Sequence, residues 1–149
     1  MTEEEKQQQI EKGKLLVADL CARLPYKVKL QKVDEPDTTY ELYSINIETL
    51  EICFWTYKGK SLRIADSDKL YRFGTQRYKP YFRPFSSMTD EEKSRMYSFM
   101  EKDASGFPSD SINKNKINEY MSWVLSHHFD INHLIEKGLA IEMTTHFNA

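Results

Sequence analysis

The sequence predicts a single α+β domain of 149 residues. The predicted parts are an N-terminal helix over 1–24, a small antiparallel sheet of three to five strands within a β-rich part over 25–86, and a helical C-terminal part over 87–149. Apolar residues recur at helical spacing at the start of the chain. Segments in which apolar and polar residues alternate occupy its middle, and residue patterns typical of helices follow them. A chain of this length can bury a core of its own.

The first helix is predicted over about residues 3 to 24, where apolar side chains recur on one face. The apolar stripe that would face the core consists of Ile10, Val17, Cys21 and Leu24, with Leu16 and Leu20 beside it. Gly13 weakens the middle of this helix. Pro25 ends it, because the residue before a proline avoids the helical region of backbone conformation.

The middle of the chain contains strand-like segments. KVKLQKV at 27–33 alternates apolar residues with lysines, and YELYSINI at 40–47 alternates less cleanly. DEPD at 34–37 is expected to be a loop between them. EICFWTYKGKSLRIA at 51–65 predicts a hairpin that turns at Lys58 and Gly59, because β-branched and aromatic residues stand on both sides of that turn.

A second helix is predicted to begin at Thr89, which can form a capping box with Glu92. In this box the Glu92 N–H donates to the Thr89 hydroxyl, and the Thr89 N–H donates to the Glu92 carboxylate. Met96, Phe99 and Met100 would supply the apolar face of this helix. SGFPSDS at 105–111 is expected to be a linker between helices.

Further helices are predicted after this linker. Residues at helical spacing favour a long helix with a face formed by Ile117, Tyr120, Met121, Val124, Leu125 and His128. DINHLIEKG at 130–138 is interpreted as a short helix with Asp130 as its N-cap and Gly138 as its left-handed stop. LAIEM at 139–143 could add a closing strand.

Composition is typical of a soluble globular protein, with 40% hydrophobic and 30% charged residues. No apolar run approaches the roughly 18 residues that a membrane span needs, so no membrane association is expected. The polar, partly acidic start is typical of neither a signal peptide nor a transit peptide. Cys21 and Cys53 are interpreted as buried thiols in a reducing compartment. A cytoplasmic location is therefore predicted.

Positive charge is concentrated in residues 69–85. This segment holds five basic residues, six aromatic residues and no acidic one, although the chain has a net charge of −2. Proteins that coat duplex nucleic acid are usually basic over a whole face. The confined charge therefore favours a local anionic ligand or an acidic patch on a partner protein.

This basic and aromatic segment supplies the candidate binding residues. Arginine planes stack on aromatic rings and bind phosphate or carboxylate, so such a surface can stack a base and hold its phosphate. The candidates for contact with a ligand or partner are Arg72, Arg77, Tyr78, Lys79, Tyr81 and Arg83.

A structural interpretation of the same segment is favoured over the binding one, and the two are compatible. The segment can be an extended connector, fixed by Pro80 and Pro84, whose arginines pair with acidic residues of the helix that begins at Thr89. Phe82 and Phe85 could then pack inward, while the two tyrosines and the arginines among the candidates face outward.

Metal binding and catalysis are disfavoured. His127 and His128 are adjacent and point about 100° apart on a helix, and His133 lies beyond a helix break, so the i, i+4 spacing of a helical zinc site is missing. There is no Gly-rich phosphate loop, no Gly-x-Ser-x-Gly motif, and neither cysteine has a histidine nearby in sequence. No cofactor and no catalytic residue are predicted, although active sites can assemble without a local motif.

Three stretches bracket nearly the whole chain: CARLPYKVKLQ at 21–31, KPYFRPFSSMTDEEK at 79–93 and HHFDINHLIEKGLAIE at 127–142. They resemble a family of small proteins found in phages, prophages and related mobile elements of Bacteroidetes. Members show a Leu-Pro-Tyr near the first strand, a Pro-Tyr-Leu-Arg-Pro-Met-Ser-Ser-Met-Thr run, and a His-His-Phe-Asp stretch leading to Leu-Ile-Glu-Lys-Gly. Phe82 and Phe85 replace the more usual leucine and methionine, which implies apolar structural roles. The resemblance implies a phage or mobile-element setting and no particular activity.

Together these observations predict a non-enzymatic binding protein, encoded by a phage or mobile element, that engages a host or phage protein and could act on a host defence system. The first alternative is a binder of a nucleotide or single-stranded nucleic acid through residues 69–85. The second alternative is an enzyme without a recognisable motif.

Overall fold

The computed structural model describes residues 2–58 and 62–143 and shows a mixed α+β fold. The helices are α1 (Glu3–Ala22), α2 (Asp90–Tyr97) and α3 (Ile117–Ser126), with short 3₁₀ helices at Leu24–Tyr26, Phe85–Ser87 and Lys114–Lys116. The strands are β1 (Lys29–Lys32), β2 (Glu35–Ile45), β3 (Glu51–Lys58), β4 (Leu62–Lys69), β5 (Tyr71–Arg72), β6 (Thr75–Gln76), β7 (Tyr78–Phe82), β8 (Met100–Lys102), β9 (Pro108–Ile112) and β10 (Ile141–Glu142). Among the residues in these ranges, no helix is long and apolar enough to cross a membrane.

Six of the strands form one sheet in the order β10-β7-β1-β2-β3-β4. Neighbouring strands are antiparallel except β10, which runs parallel to β7. The sheet is thus larger than the predicted three to five strands, and it is mixed where an antiparallel sheet was expected. The difference comes from the connector predicted around Pro80, which forms the strand β7 between β1 and β10. The closing strand expected at 139–143 is confirmed as β10.

The segment 34–37, expected to be a loop, lies mostly within β2. Gln31 pairs with Thr39 whereas Lys32 pairs with Glu35, so residues 36–38 bulge out of the ladder. Pro36 has no N–H to donate, and a bulge can accommodate such a residue. The antiparallel pairing of β3 with β4 confirms the predicted hairpin, while its turn at Gly59 lies outside the described residues.

The helical part contains three departures from prediction. The segment 105–111 is no linker, because β9 pairs with β8 in a hairpin that also takes Met100 out of the predicted helix. His128 lies beyond the end of α3 with φ of 62°. Residues 131–138 form turns instead of a third helix. The Asp130 carboxylate accepts hydrogen bonds from the N–H groups of Leu134 at 2.8 Å and Ile135 at 2.9 Å. In a helix these N–H groups would donate to backbone carbonyls. The left-handed Gly138 is confirmed, with φ of 74°.

The capping box at the start of α2 is confirmed. The Glu92 N–H donates to Thr89 Oγ1 at 3.2 Å, and the Thr89 N–H donates to Glu92 Oε1 at 2.9 Å. Both hydrogen bonds of the box join residues that are three positions apart in the sequence. This short separation is why the sequence predicts the start of this helix well.

The main core lies between α1 and one face of the six-stranded sheet. Leu16 and Leu20 of α1 are fully buried in one cluster with Leu30 of β1 and Tyr78 and Phe82 of β7. The predicted inward stripe of α1 is therefore wrong in its rotation. Ile10 is 51% exposed, and Val17 and Cys21 are only partly buried, because the sheet covers the neighbouring leucines instead.

A second apolar cluster lies around α3. It consists of Met88, Phe99, Tyr120, Val124 and Phe129. The two clusters meet where β7 continues into Arg83, whose backbone pairs in parallel with Phe129. The two parts of the fold are thus joined at the end of β7.

The buried side chain of Arg23, just after α1, connects these parts. Its Nε donates to Asp19 Oδ1 at 2.6 Å, and its Nη2 donates to the Phe129 carbonyl at 2.6 Å. The guanidinium carbon lies 3.9 Å from the centre of the Phe82 ring. Asn132 Nδ2 also donates to Asp19 Oδ2 at 2.7 Å. One ion pair therefore holds together α1, β7 and the segment after α3.

We expect Arg23→Ala to lower the free energy of unfolding by about 3–5 kcal/mol, because it leaves the buried Asp19 carboxylate without its counter-charge. Arg95→Ala is the matched control. Arg95 stacks on the Phe99 ring at 4.6 Å but is exposed, so its loss should cost about 1 kcal/mol or less. Urea unfolding measures both values. A loss below 1 kcal/mol for Arg23→Ala would contradict the role of this ion pair.

His128 lies beside this junction with a buried ring nitrogen. Within the described part of the chain, His128 Nδ1 and Arg23 Nη1 are buried without a hydrogen-bond partner. Burial of the ring, followed by the positive charge of Arg23, lowers the pKa of His128 to about 4. The ring is therefore neutral in the folded protein at neutral pH.

We expect stability to fall as the pH drops from about 6.5 to 4. The folded pKa of His128 is depressed, so the stability that its neutral form contributes is present above the unfolded pKa near 6.5 and is lost as the pH falls through the folded pKa. The loss should be of the order of 2 kcal/mol. His128→Asn, which keeps a residue suited to the left-handed backbone, should flatten this part of the profile.

His133→Asn is the control for the pH experiment. It removes an exposed histidine that has a similar left-handed backbone, with φ of 56°. Urea unfolding at a series of pH values should show the wild-type slope in this control. An unchanged slope in His128→Asn would show that another group causes the pH dependence.

Candidate functional site

Asp68, at the end of β4, collects three of the six candidate binding residues. Tyr78 Oη donates to Asp68 Oδ2 at 2.7 Å, Arg72 Nη2 lies 3.3 Å from Oδ1, and Arg77 Nη2 lies 3.9 Å from Oδ2. Burial raises the pKa of Asp68, but the hydrogen bonds from Tyr78 and the Lys69 N–H, helped by Arg77 and Arg72, hold it below the ordinary value. The two arginines therefore share an internal carboxylate.

Tyr78 does not face outward as the compatible interpretation expected. It is 2% exposed, and its ring packs against Tyr40 and Phe54 with centroids 5.7 and 5.4 Å away. Strand alternation explains this position, because Tyr78, Pro80 and Phe82 lie on the core face of β7. Tyr78 thus contributes to the core, and an external ligand cannot stack on its ring.

Arg83 supports α2, as the connector interpretation proposed. Its Nη1 and Nη2 donate to the two carboxylate oxygens of Glu92, each at 2.7 Å. The hydrogen bonds from Arg83, against the opposing effect of burial, lower the pKa of Glu92 to about 2. The guanidinium carbon also lies 4.5 Å from the centre of the Phe129 ring. Phe82 is fully buried and Phe85 stacks on Phe129 at 5.2 Å, so both phenylalanines face inward.

Lys79 and Tyr81 lie on the opposite face of β7 from Tyr78. Both are partly exposed, and Tyr81 Oη accepts a hydrogen bond from Gln31 Nε2 at 3.0 Å. The six candidates are therefore distributed over an internal carboxylate, a helix support and the outer sheet face. Sequence reasoning grouped them because Asp68 and Glu92 stand just outside the acid-free segment 69–85.

The histidines and cysteines occupy separate places. His127 Nδ1 lies 2.9 Å from the Trp123 carbonyl, and His128 and His133 have the positions described above. Among the residues that the structure describes, no three His, Cys, Asp or Glu side chains could share a metal ion. Cys21 and Cys53 are free thiols and only partly buried, so their predicted burial is wrong. Burial raises the pKa of Cys21.

A concave surface runs along α1, and we call it the α1 groove. Its cavity volume is about 810 Å³. One wall of the groove is formed by α1 and contains Ile10, Gly13 and Val17. Ile10 and Val17 belong to the apolar stripe that was predicted to face the core. The Tyr71 ring packs beside Gly13, where a Cβ atom would make an ordinary van der Waals contact of 3.7 Å with Tyr71 Cζ.

Two turns form the opposite wall of the α1 groove. The turn after β2 contributes Ile47 and Leu50, and the turn between β5 and β6 contributes Phe73 and Gly74. Ile47 is 68% exposed and Phe73 is completely exposed. Together with Ile10, they are three of the large hydrophobic residues that are exposed in the described structure, and all three line this groove. Such convergence marks an interaction surface more strongly than scattered apolar residues do.

The backbone of this second wall is strained. Leu50 has φ of 59° and Phe73 has φ of 52°, in the left-handed region that bulky side chains disfavour by about 1–2 kcal/mol. Phe73 and Gly74 both have positive φ, the pattern of a type I′ turn in which Asn-Gly is the favoured pair. A fully exposed phenylalanine gains no burial that offsets this cost.

The charged residues of the α1 groove have one sign. Lys6 and Lys14 line it, and no Asp or Glu belongs to the described lining. Lys6 lies 3.4 Å from the exposed carboxylate of Glu3, whereas Lys14 has no ion-pair partner among residues 2–58 and 62–143. The groove is therefore apolar at its floor and positive at its rim.

Sequence reasoning missed the α1 groove because helical periodicity gives the apolar side of a helix and not what covers it. One local signal was available. RFGT at 72–75 places a bulky apolar residue before glycine in a two-residue turn, where asparagine or aspartate is usual. Such a departure from turn chemistry points to a functional residue.

Comparisons of the chain with protein-family models, curated proteins and solved structures found no match in any of the three. The function of the α1 groove therefore has to be argued from its own residues. The resemblance to phage and mobile-element proteins stays a prediction.

We expect Arg83→Gln to lower the free energy of unfolding by about 1–3 kcal/mol, because it removes the two charge-assisted hydrogen bonds to Glu92. Lys79→Gln is the matched control, because Lys79 is a partly exposed basic residue of β7 four positions before Arg83. It should change the free energy of unfolding by less than about 0.5 kcal/mol. Urea unfolding of both variants checks this. Equal effects would mean that the Arg83 bonds add nothing to the fold.

Proposed function

We propose that this protein is a non-enzymatic binding protein that docks an apolar segment of a partner protein in the α1 groove. The observation that carries the proposal is the pair of left-handed apolar residues, Leu50 and Phe73, on one wall of this groove. Backbone strain of this kind persists where it positions a functional side chain. Phe73 is thereby presented to a partner with its whole ring exposed.

The size and chemistry of the groove support a protein partner. A volume of about 810 Å³ is enough for several apolar side chains, and the exposed Ile10, Ile47 and Phe73 lie around it. Aromatic side chains that fill pockets at the centre of an interface supply much of the binding energy. A partner that covers this surface would remove it from water and offset the strain at the two turns.

The setting implied by the family resemblance gives the proposal its biological form. We propose that the partner is a protein of the bacterial host or of the phage, and that binding alters the activity of that protein, such as a component of a host defence system. Binding of a nucleotide or single-stranded nucleic acid through the six candidates of residues 69–85 is a weaker proposal, since four of the six are held by Asp68 or Glu92.

Phe73→Asn tests the proposal, because it removes the exposed ring and places the preferred residue in the turn. We expect its free energy of unfolding to equal or exceed the wild-type value, and its capture of partner proteins from a Bacteroidetes lysate to be lost. The measurements are urea unfolding and quantitative affinity capture with identification of the bound proteins.

Phe107→Asn is the matched control for this capture experiment. Phe107 is also exposed, at 68%, but it lies in the β8–β9 hairpin and does not line the α1 groove. This variant should retain every captured protein. Capture of the same proteins at the same level by Phe73→Asn would refute the proposed use of the groove.

A further inference from the structure

The shape of the α1 groove restricts the kind of segment that it can accept. Its helical wall runs from Lys6 to Cys21, a length of about 22 Å at 1.5 Å per residue. Two turns face this wall, together with Tyr71 of β5. The length of the wall matches that of one helix of about four turns.

The backbone around the groove leaves an extended partner strand little to pair with. The N–H and C=O groups of α1 are used within the helix. In the turn after β2, the Leu50 N–H donates to the Asn46 carbonyl at 2.8 Å, and the Leu50 carbonyl accepts from the Leu70 N–H at 2.9 Å. A segment that enters an apolar groove without backbone partners must satisfy its own backbone groups, which an α-helix does.

The positions of the two rim lysines indicate charge on the incoming helix. Lys6 and Lys14 are eight residues apart on α1, which is about 12 Å. Ile10 lies between them on the same side of the helix. Acidic residues seven or eight positions apart on a partner helix span the same distance, and apolar residues between them would face Ile10 and Phe73.

We propose that the α1 groove binds an amphipathic α-helix of a partner protein whose apolar face is flanked at both ends by acidic residues. This inference rests on the proposed function and specifies the chemistry of the partner. The apolar face inserts beside Phe73, and the flanking carboxylates pair with Lys6 and Lys14. The helix-in-groove mode of recognition has these features.

A second copy of this chain is a poor occupant for an electrostatic reason. An antiparallel two-fold contact between two α1 helices can be centred at Ile10. It would place Lys6 of one copy beside Lys14 of the other, twice in each dimer. Like charges in such proximity oppose association, so the rim favours a different, acidic chain.

Two synthetic peptides of about 20 residues test the proposal. Both carry leucines at i, i+3 and i+4 on an alanine background, and they differ only in having glutamate or lysine at i−1 and i+7, two flanking positions eight residues apart. Fluorescence anisotropy at low salt measures their affinities for wild type, for Lys6→Glu/Lys14→Glu and for Phe73→Asn. Sedimentation velocity of the wild type without peptide measures self-association.

We expect wild type to bind the glutamate peptide about tenfold more tightly than the lysine peptide, since rim charges tune specificity. Lys6→Glu/Lys14→Glu should reverse this preference, and Phe73→Asn should bind neither peptide. The reversal in the double variant would show that it still folds and that its groove is intact.

Other results would overturn this inference, and they separate its failure from a failure of the proposed function. Equal binding of both peptides that depends on Phe73 would refute the acidic flanks alone. Binding of neither peptide, together with protein capture that depends on Phe73, would refute the helical partner but not the groove. A wild-type dimer that Phe73→Asn dissociates would assign the groove to a second copy. Stabilisation by palmitate without peptide binding would assign it to a fatty acid.

Discussion

The guanidinium of Arg23 lies where α1, β7 and the segment after α3 meet, and it contacts all three. It binds Asp19 four residues earlier on α1, stacks on Phe82 of β7 and donates to the Phe129 carbonyl. Each of these groups is buried, so each would be costly without its partner. The ion pair thus links the two apolar clusters. Burial first, and the positive charge of Arg23 second, lower the pKa of the neighbouring His128.

The buried side of α1 decides which side of the helix faces outward. Leu16, Asp19, Leu20 and Arg23 form this buried side, so the two leucines and the salt bridge favour the same rotation about the helix axis. On the neighbouring apolar stripe, Ile10 is exposed and Val17 is only partly buried against the core. The α1 groove therefore lies along the side of the helix that the sheet covers incompletely.

The strained backbone and the charge of the α1 groove both point to a surface that binds a partner. The left-handed backbone at Leu50 and Phe73 lowers stability, and the uncovered apolar side chains around it lower solubility. Neither feature helps the isolated fold. Both are consistent with a surface that is completed by a partner, and the two lysines on the rim give that partner a required charge.

Local features of the fold could be predicted from the sequence because neighbouring residues create them. The capping box at Thr89 depends on a residue three positions away, and the β3–β4 hairpin depends on residues that face each other across one turn. Phe82 could be assigned inward because the family resemblance, in which leucine is usual at this position, implies an apolar role there. The α+β class followed from the same local periodicities.

The tertiary structure alone decided the rotation of α1 and the fate of the basic segment. The side of an amphipathic helix that is buried depends on the surface that meets it, and Leu16 and Leu20 met the sheet in place of Ile10. Three of the five positive side chains at 69–85 pair with Asp68 or Glu92, which stand just beyond the segment, so the charge is partly compensated in space. Such pairings join residues that only folding brings together, and periodicity contains no information about them.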